Sequence, residues 1–275
     1  MGPFIFPDID PVALELGPLV IRWYALAYVS GLLFGWWYCM RLADRAPRVI
    51  TRDQVDSFLT WCILGVIIGG RLGHVIFYYP AEYLADPVRI LKVWEGGMAF
   101  HGGLLGVGAA MNLFARKHKL SFFWLSDLIS AAVPIGIGLG RITNFINQEL
   151  WGRATDVSWA VIFTRDPQRL PRHPSQLYEA VLEGFLLFAI LFVLTHAFRA
   201  RFRPGLLTGV FLTGYAAARG VSEFVREPEV LQATLPFGTT WGQWLSLPLG
   251  LIGLYFAWRA LSKPALPAGG KKARA

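Results

Sequence analysis

Residues 140–152 read GRITNFINQELWG, and Arg141, Asn144, Asn147 and Glu149 stand in a run that begins inside a stretch apolar enough to lie in a lipid bilayer. A guanidinium in a spanning segment costs roughly 2.5–3.5 kcal/mol on insertion scales. Such a charge calls for a carboxylate partner or a polar substrate. Arginine offers a planar fork of donors that matches phosphate and carboxylate oxygens. The chemistry to look for is therefore capture of an anion at membrane depth, and the remaining residues are read for what would help Arg141 do it.

The elements that must position these groups follow from composition. Of 275 residues, 55% are hydrophobic and 16% charged, against about 25% charged in an average soluble domain. The net charge of +8 is spread over short loops between apolar runs. With no basic patch or nucleic-acid motif, it does not point to nucleic acid. Cys39 and Cys62 lie inside apolar runs and form neither a disulfide framework nor a metal-ligand spacing. No metal and no cofactor are expected. The first apolar segment lacks the basic flank and small-residue cleavage site of a secretory signal, so it is expected to be retained.

Seven stretches approach the roughly 20 apolar residues that a spanning helix needs: 19–40, 55–79, 97–115, 124–146, 175–198, 205–225 and 240–261. No repeat or long linker divides them. The expected fold is one all-α integral membrane domain over residues 1–275. Lys and Arg set its orientation. The loops after spans one, three and five and the C-terminal tail hold Arg41, Arg45, Arg48, Arg52, Arg116, Lys117, Lys119, Arg199, Arg201, Arg203, Arg259, Lys263, Lys271, Lys272 and Arg274. The other side holds Arg89, Lys92, Arg153, Arg165, Arg169, Arg172 and Arg226. Fifteen against seven places the N-terminus outside and the C-terminus in the cytoplasm. The long connection 147–174, with a short strand expected at 158–164, then forms a small external cap, and Pro174 suits the first turn of span five.

With that orientation the polar residues of separate spans gather at one depth, in the outer leaflet. Span one brings Arg22 and Tyr24, span two Arg71 and His74, span three His101. Span four brings Arg141 and Asn144, span five Glu179, and span six Tyr215, Arg219 and Glu223. Tyr215, Arg219 and Glu223 are spaced by four and form one slowly drifting stripe, so Arg219 and Glu223 are able to pair. Either that pair or a contact from Arg71 to a neighbouring helix could merely staple the bundle. Asp56, Asp127 and His196 lie near cytoplasmic ends and are expected to reach the interface. His101 sits between two glycine pairs, 96–97 and 102–103, which admit a close approach of substrate; Gly106 and Gly108 suit helix packing. A neutral imidazole is a natural general base. Arginine forks between apolar walls fit a phospholipid head group. Spacing and depth go no further than this.

Taken together, these stretches resemble the prolipoprotein diacylglyceryl transferase family of bacteria. The resemblance rests on Gly140, Arg141, Asn144, Asn147, Glu149 and Gly152, and on RWY from Arg22, GGMAFHGG through His101, RHPSQLYE from Arg172 and the stretch from Tyr215 to Arg226. These occur in family order over nearly the whole chain. Thr143 departs from the family's Gly or Ala and is expected to alter packing beside Asn144. The resemblance implies transfer of the diacylglyceryl group of phosphatidylglycerol to the lipobox cysteine thiol of a prolipoprotein signal peptide, releasing glycerol phosphate, in the bacterial inner membrane with the site towards the periplasm. It implies Arg141 at the lipid phosphate, supported by Asn144, Asn147, Glu149, Gly152 and Tyr215. Arg219, oriented by Glu223, would stabilise the departing phosphate, with His101 as base to the thiol and Tyr24 positioning lipid or peptide. The rival from another class, a secondary transporter of an anionic solute, would be expected to show repeated halves and a midplane site.

Overall fold

The computed structural model describes residues 3–228 and 239–266. It is mostly helical and forms two compact units, one drawn from Met1–Tyr38 and Asp127–Pro267, the other from Cys39–Ser126. Three short strands, β1 Phe4–Ile5, β2 Val12–Leu16 and β3 Leu19–Arg22, precede helices α1 Trp23–Ala43 and α2 Arg52–Phe77. A short α3 Pro80–Ala85 and two 3-10 turns lead to α4 Phe100–Lys117, α5 Phe122–Ser130 and α6 Val133–Ile146. After β4 Val161–Ile162 and β5 Pro171–Arg172 come α7 Ser175–Glu179, a π-helical segment Ala180–Leu186 and α8 Leu187–His196. The helices α9 Leu206–Ser222 and α10 Trp241–Leu261 follow.

Helices thus lie at each of the seven apolar stretches. Among the described residues, four are long and apolar enough to cross a membrane: Arg52–Phe77, Phe122–Ile146, Ser175–His196 and Gly242–Leu261. The first helix begins later than expected. Residues 19–22 pair instead with β2 in an antiparallel hairpin turned at Gly17, whose φ of +60° suits glycine. Arg22 therefore ends a strand, not a helix. The fourth stretch is interrupted at Ala131 and Ala132, and Pro134 lies in the first turn of α6, where proline's missing N–H does no harm.

In the unit drawn from Cys39–Ser126, α2 and α4 meet backbone to backbone. Gly65, Gly69 and Gly73, spaced by four, face Gly102 and Gly106. A Cβ on Gly102 would stand 2.8 Å from Gly73 Cα, and one on Gly106 2.8 Å from Gly69 Cα. Gly102, expected to admit substrate, is a helix contact. Gly108, expected to pack, has nothing within 4 Å of its Cβ position. Arg71 lies over the ring of Tyr83 on the short helix α3, 5.1 Å from its centroid. It is 3% exposed and donates to the main-chain carbonyls of Arg89, Ile90, Lys92, Gly96 and Gly97, 3.0 Å to Ile90 and 3.1 Å to Lys92. An internal cation here satisfies the carbonyls of an irregular loop.

In the other unit, α6 crosses the π-helical segment at Gly138 and Gly184, and α9 meets α10 at Gly209 and Gly253. Asp127 does not reach an interface. It is buried and accepts from Gly205 N–H and Thr208 N–H, both at 2.8 Å, and from Thr208 Oγ1 at 2.6 Å. A carboxylate from another helix thereby caps the orphan donors opening α9. His196 also points inward, its Nε2 3.1 Å from the Tyr38 hydroxyl. The added methyl of Gly184→Ala would stand 2.9 Å from Gly138 N and 3.3 Å from Pro134 O. Backbone cannot rotate aside, so this variant is expected to lose about 1–3 kcal/mol, read as a lower unfolding temperature in detergent.

The stretch 147–174 has less strand than expected, only Val161–Ile162 of residues 158–164, and it recruits the N-terminal segment. β1 pairs parallel with β4, and β4 pairs antiparallel with β5. Phe6, Val161 and Phe163 are buried at the centre, with Ile9, Phe145 and Trp151 packed around them. The protein is therefore helical with two small β elements.

Candidate active site

Arg141 follows Gly138 by one turn of α6, and Glu183 precedes Gly184 in the π-helical segment. The glycine contact that lets the two backbones touch therefore brings their charged neighbours together. Arg141 donates from Nε and Nη2 to Glu183 Oε2 at 3.2 and 3.1 Å, while its Nη1 lies 3.2 Å from Glu179 Oε2. Arg219 donates through Nη1 to Glu179 Oε1 at 2.5 Å and through Nη2 pairs with Glu223 Oε1, one turn on; its Nη1 lies 3.9 Å from Glu183 Oε1. Arg226 Nη1 adds a 3.3 Å bond to Glu179 Oε1. Thr240 Oγ1 donates to Glu223 Oε2 at 2.7 Å.

Three guanidinium groups and three carboxylates thus share one site. The side chains of Glu179 and Glu183 are 0% exposed, those of Arg141 and Arg219 17% and 13%. A buried charge this deep persists only when paired and hydrogen-bonded. Glu179 is the hub, since it touches all three arginines. The π-helical turn that carries it into Glu183 is an uncommon geometry, frequent at functional sites. Tyr215, on α9, lies within electrostatic reach of Glu183, Arg141, Arg219 and Glu179.

A second polar chain adjoins Arg141 along α6. Asn144 Nδ2 donates to the Tyr24 hydroxyl, which donates to Glu149 Oε2 at 2.9 Å. Glu149 is exposed, and a specific helix ending presents it. Gln148 N–H bonds Phe145 O at 3.1 Å and Glu149 N–H bonds Asn144 O at 2.9 Å, with Gln148 at φ +58°. That is a Schellman ending with glutamine where glycine is usual. Leu150, at φ +57°, is likewise left-handed. Both strained positions are held by side chains. Thr164 Oγ1 and Arg165 N–H donate to Gln148 Oε1, each at 3.1 Å; Gln176 Nε2 donates to Glu149 O at 2.6 Å and Ser175 Oγ to Leu150 O at 3.0 Å. Non-glycine residues kept at positive φ by surrounding bonds are typical of functional segments.

The other expected site residues fall as follows. Asn147 is buried, and its Oδ1 has no hydrogen-bond partner among the described residues. Gly152 serves the backbone: its N–H bonds His173 O at 2.9 Å, and a Cβ there would stand 2.6 Å from both His173 O and Val225 O. Thr143 satisfies its extra hydroxyl within its own helix, donating to Leu139 O at 3.1 Å. His101 lies in the first turn of α4, and its side chain lies outside the described residues.

The structure brings together Arg141, Arg219, Glu223 and Tyr215, and separately Tyr24, Asn144 and Glu149. It also adds Glu183 and Arg226, and it makes a central ion-pair partner of Glu179, which the sequence places only at the same depth. Glu183 carried the same signal as Arg141, a charge within an apolar stretch. The guanidinium groups do not form the open cationic cradle that their spacing suggested. Each is already engaged by carboxylates.

Near the site, Arg172 and Asp166 hold the connection together. Arg172 Nε donates to Asp166 Oδ2 at 2.5 Å and Nη2 to Gln168 Oε1 at 2.8 Å. Burial alone would push the Asp166 carboxyl up. The Arg172 bond, the Gln168 N–H, the guanidinium charge and the Leu170 N–H together hold it below the usual carboxylate range. A depressed folded value means stability that is present above the unfolded value of about 3.9 and lost as pH falls through the folded one. Asp166→Asn is expected to remove that acid-dependent loss, seen by comparing melting of variant and wild type between about pH 5 and 3.

A family model described as prolipoprotein diacylglyceryl transferase matches residues 11–259. A phosphatidylglycerol–prolipoprotein diacylglyceryl transferase of Rhodospirillum centenum is 54% identical over 278 residues, covering 98% of this chain and all of the relative. Proteins of the same name from Gluconacetobacter diazotrophicus and Azospirillum brasilense are each 52% identical, covering 96% and 94% of this chain and 94% and 97% of their own lengths. With the match spanning both units and every residue of the ion network, the chain belongs to the prolipoprotein diacylglyceryl transferase family.

Proposed function

We propose that this membrane enzyme transfers the diacylglyceryl group of phosphatidylglycerol to a prolipoprotein, with the thiol of the lipobox cysteine in the signal peptide as nucleophile. A thioether forms, and glycerol phosphate leaves. The observation that carries the reading is the convergence of Arg141 and Arg219 on one pair of buried carboxylates, in a chain of this family. In this reading the guanidinium groups lie at the depth of the lipid phosphate. Carboxylate oxygens occupy the acceptor positions that phosphate oxygens would take over.

In this reading Arg141 grips the lipid phosphate and Arg219, steadied by Glu223, stabilises the charge that grows on it as the carbon–oxygen bond breaks. Preorganised donors aimed at developing charge are commonly the largest catalytic contribution. Tyr24, Asn144 and Glu149 orient the glycerol head group or peptide, with Asn147 and Tyr215 lining the site and Gly152 holding the backbone beside it. His101 removes the proton of the cysteine thiol, whose free pKa is about 8.5. His101→Gln is expected to lower turnover by about 10²–10⁴-fold in a lipidation assay, and nearly full turnover would assign the base elsewhere.

The seven helices form a single integral domain of the bacterial inner membrane, N-terminus outside, with residues 147–174 as an external cap over a site that opens towards the periplasm. The excess of Lys and Arg on the opposite loops supports that orientation. The direct test is incubation of purified protein with phosphatidylglycerol and a lipobox peptide, followed by mass spectrometry. A diacylglyceryl adduct on the cysteine is expected, and an unmodified peptide would refute the assignment.

A further inference from the structure

We infer that Glu179 and Glu183 form a proton-holding pair: they take up one proton when a phosphodiester lipid binds and deliver it to the phosphate as the carbon–oxygen bond breaks. The inference rests on the reading that Arg141 and Arg219 hold the phosphate. It starts from charge. Arg141, Arg219 and Arg226 balance Glu179, Glu183 and Glu223, and both carboxylates of the pair are wholly buried. A phosphodiester adds one negative charge. An uncompensated buried charge is strongly disfavoured, and titratable groups answer by changing protonation.

The same geometry says where the proton goes. Every nitrogen of Arg141 faces Glu179 or Glu183, so a phosphate that engages Arg141 takes its donors from this pair. Glu179 Oε2 and Glu183 Oε1 already lack an aligned hydrogen-bond donor among the described residues, although each lies within ion-pair distance of an arginine. Glu223 lies outside this exchange, because it keeps Arg219, the Thr240 hydroxyl and the N-terminal end of α10. The groups facing the pair are Arg141 on α6, Tyr215 and Arg219 on α9, and Arg226 beyond it. Two carboxylates robbed of guanidinium charge and left side by side share one proton.

The step balances. The thiol gives its proton to the base, and the thiolate bonds the glyceryl carbon. The carbon–oxygen bond breaks with its electron pair on the phosphate oxygen. The proton from the pair turns the departing phosphomonoester dianion into a monoanion, and the ionised glutamates close again on the arginines. One proton enters from solvent with the lipid, and one leaves from the cysteine.

The test is proton uptake by wild-type protein in weakly buffered detergent on addition of phosphatidylglycerol without peptide, read with a pH indicator. About one proton per lipid bound is expected from this charge balance. Binding through Arg141 with no uptake would overturn the inference alone. Undiminished binding by Arg141→Ala would overturn the phosphate reading and the inference with it. Glu183→Gln, which keeps the shape of a protonated glutamate, is expected to abolish uptake, leave KM for the lipid no higher and insensitive to pH, and lower kcat by about 10²–10⁴-fold. Wild-type kcat with an unchanged pH profile in that variant would also overturn it.

Discussion

Arg141→Ala is expected to lower kcat/KM for phosphatidylglycerol by at least about 10²–10³-fold, the range for losing one preorganised donor to developing anionic charge. Two separate losses combine in this variant. The phosphate loses its fork of donors, and Glu183 loses both of its bonds at 3.1 and 3.2 Å, keeping only Arg219 at 3.9 Å. Arg141→Lys is expected to rescue little of the activity. An ammonium is a point charge and cannot span two carboxylates, or two phosphate oxygens, as the planar guanidinium does. The contributions separate in the double variant Arg141→Ala with Glu183→Gln, which removes the stranded carboxylate. Folding should recover there while activity stays low. Recovery of lipidation in either variant would mean that the phosphate is held elsewhere.

The second large effect is on stability. Glu179→Ala is expected to destabilise the protein by about 3–5 kcal/mol, the cost of breaking a buried ion pair from one side. Its magnitude comes from the hub position. Without Glu179, three guanidinium groups face two carboxylates, and Arg226 loses its 3.3 Å bond. Neutralising Arg226 as well, in Glu179→Ala with Arg226→Met, restores the balance and should recover part of the loss. Non-additivity of this kind marks residues that share one network. Unfolding in detergent, followed for Glu179→Ala, Arg226→Met and the double variant side by side, checks both statements. Strict additivity of the two substitutions would show that Arg226 and Glu179 do not interact.

Helix positions were legible because apolar stretches of membrane length announce themselves in one dimension. The errors at their ends have particular causes. Leu19, Val20 and Ile21 extend the first stretch because they are apolar, yet Val20 and Ile21 satisfy their backbone across a hairpin turned at Gly17. The N-terminal strand gave no advance notice of its pairing with Val161 and Ile162, since two residues carry too little pattern to set a partner. Asp127 was placed near an interface because its own helix ends there. Its partners, Gly205 and Thr208, lie about eighty positions away and cap a different helix.

The site divides along the same line. Spacing by four sufficed for Arg219 and Glu223, because an α-helix turns every 3.6 residues and places them in contact. The cost of a buried cation made Arg141 stand out as needing an anion. Which anion it meets was decided only in three dimensions, by Gly138 and Gly184. Their missing side chains let α6 and the π-helical segment touch and bring Glu183 under the arginine. The sequence by itself therefore determined that this chain spans a membrane, carries its charges in apolar stretches and belongs with enzymes that handle an anionic lipid. Only the tertiary structure decided that those charges neutralise one another around Glu179. A residue's charge is local, but its counter-ion is whatever the packing of distant helices brings within about 4 Å.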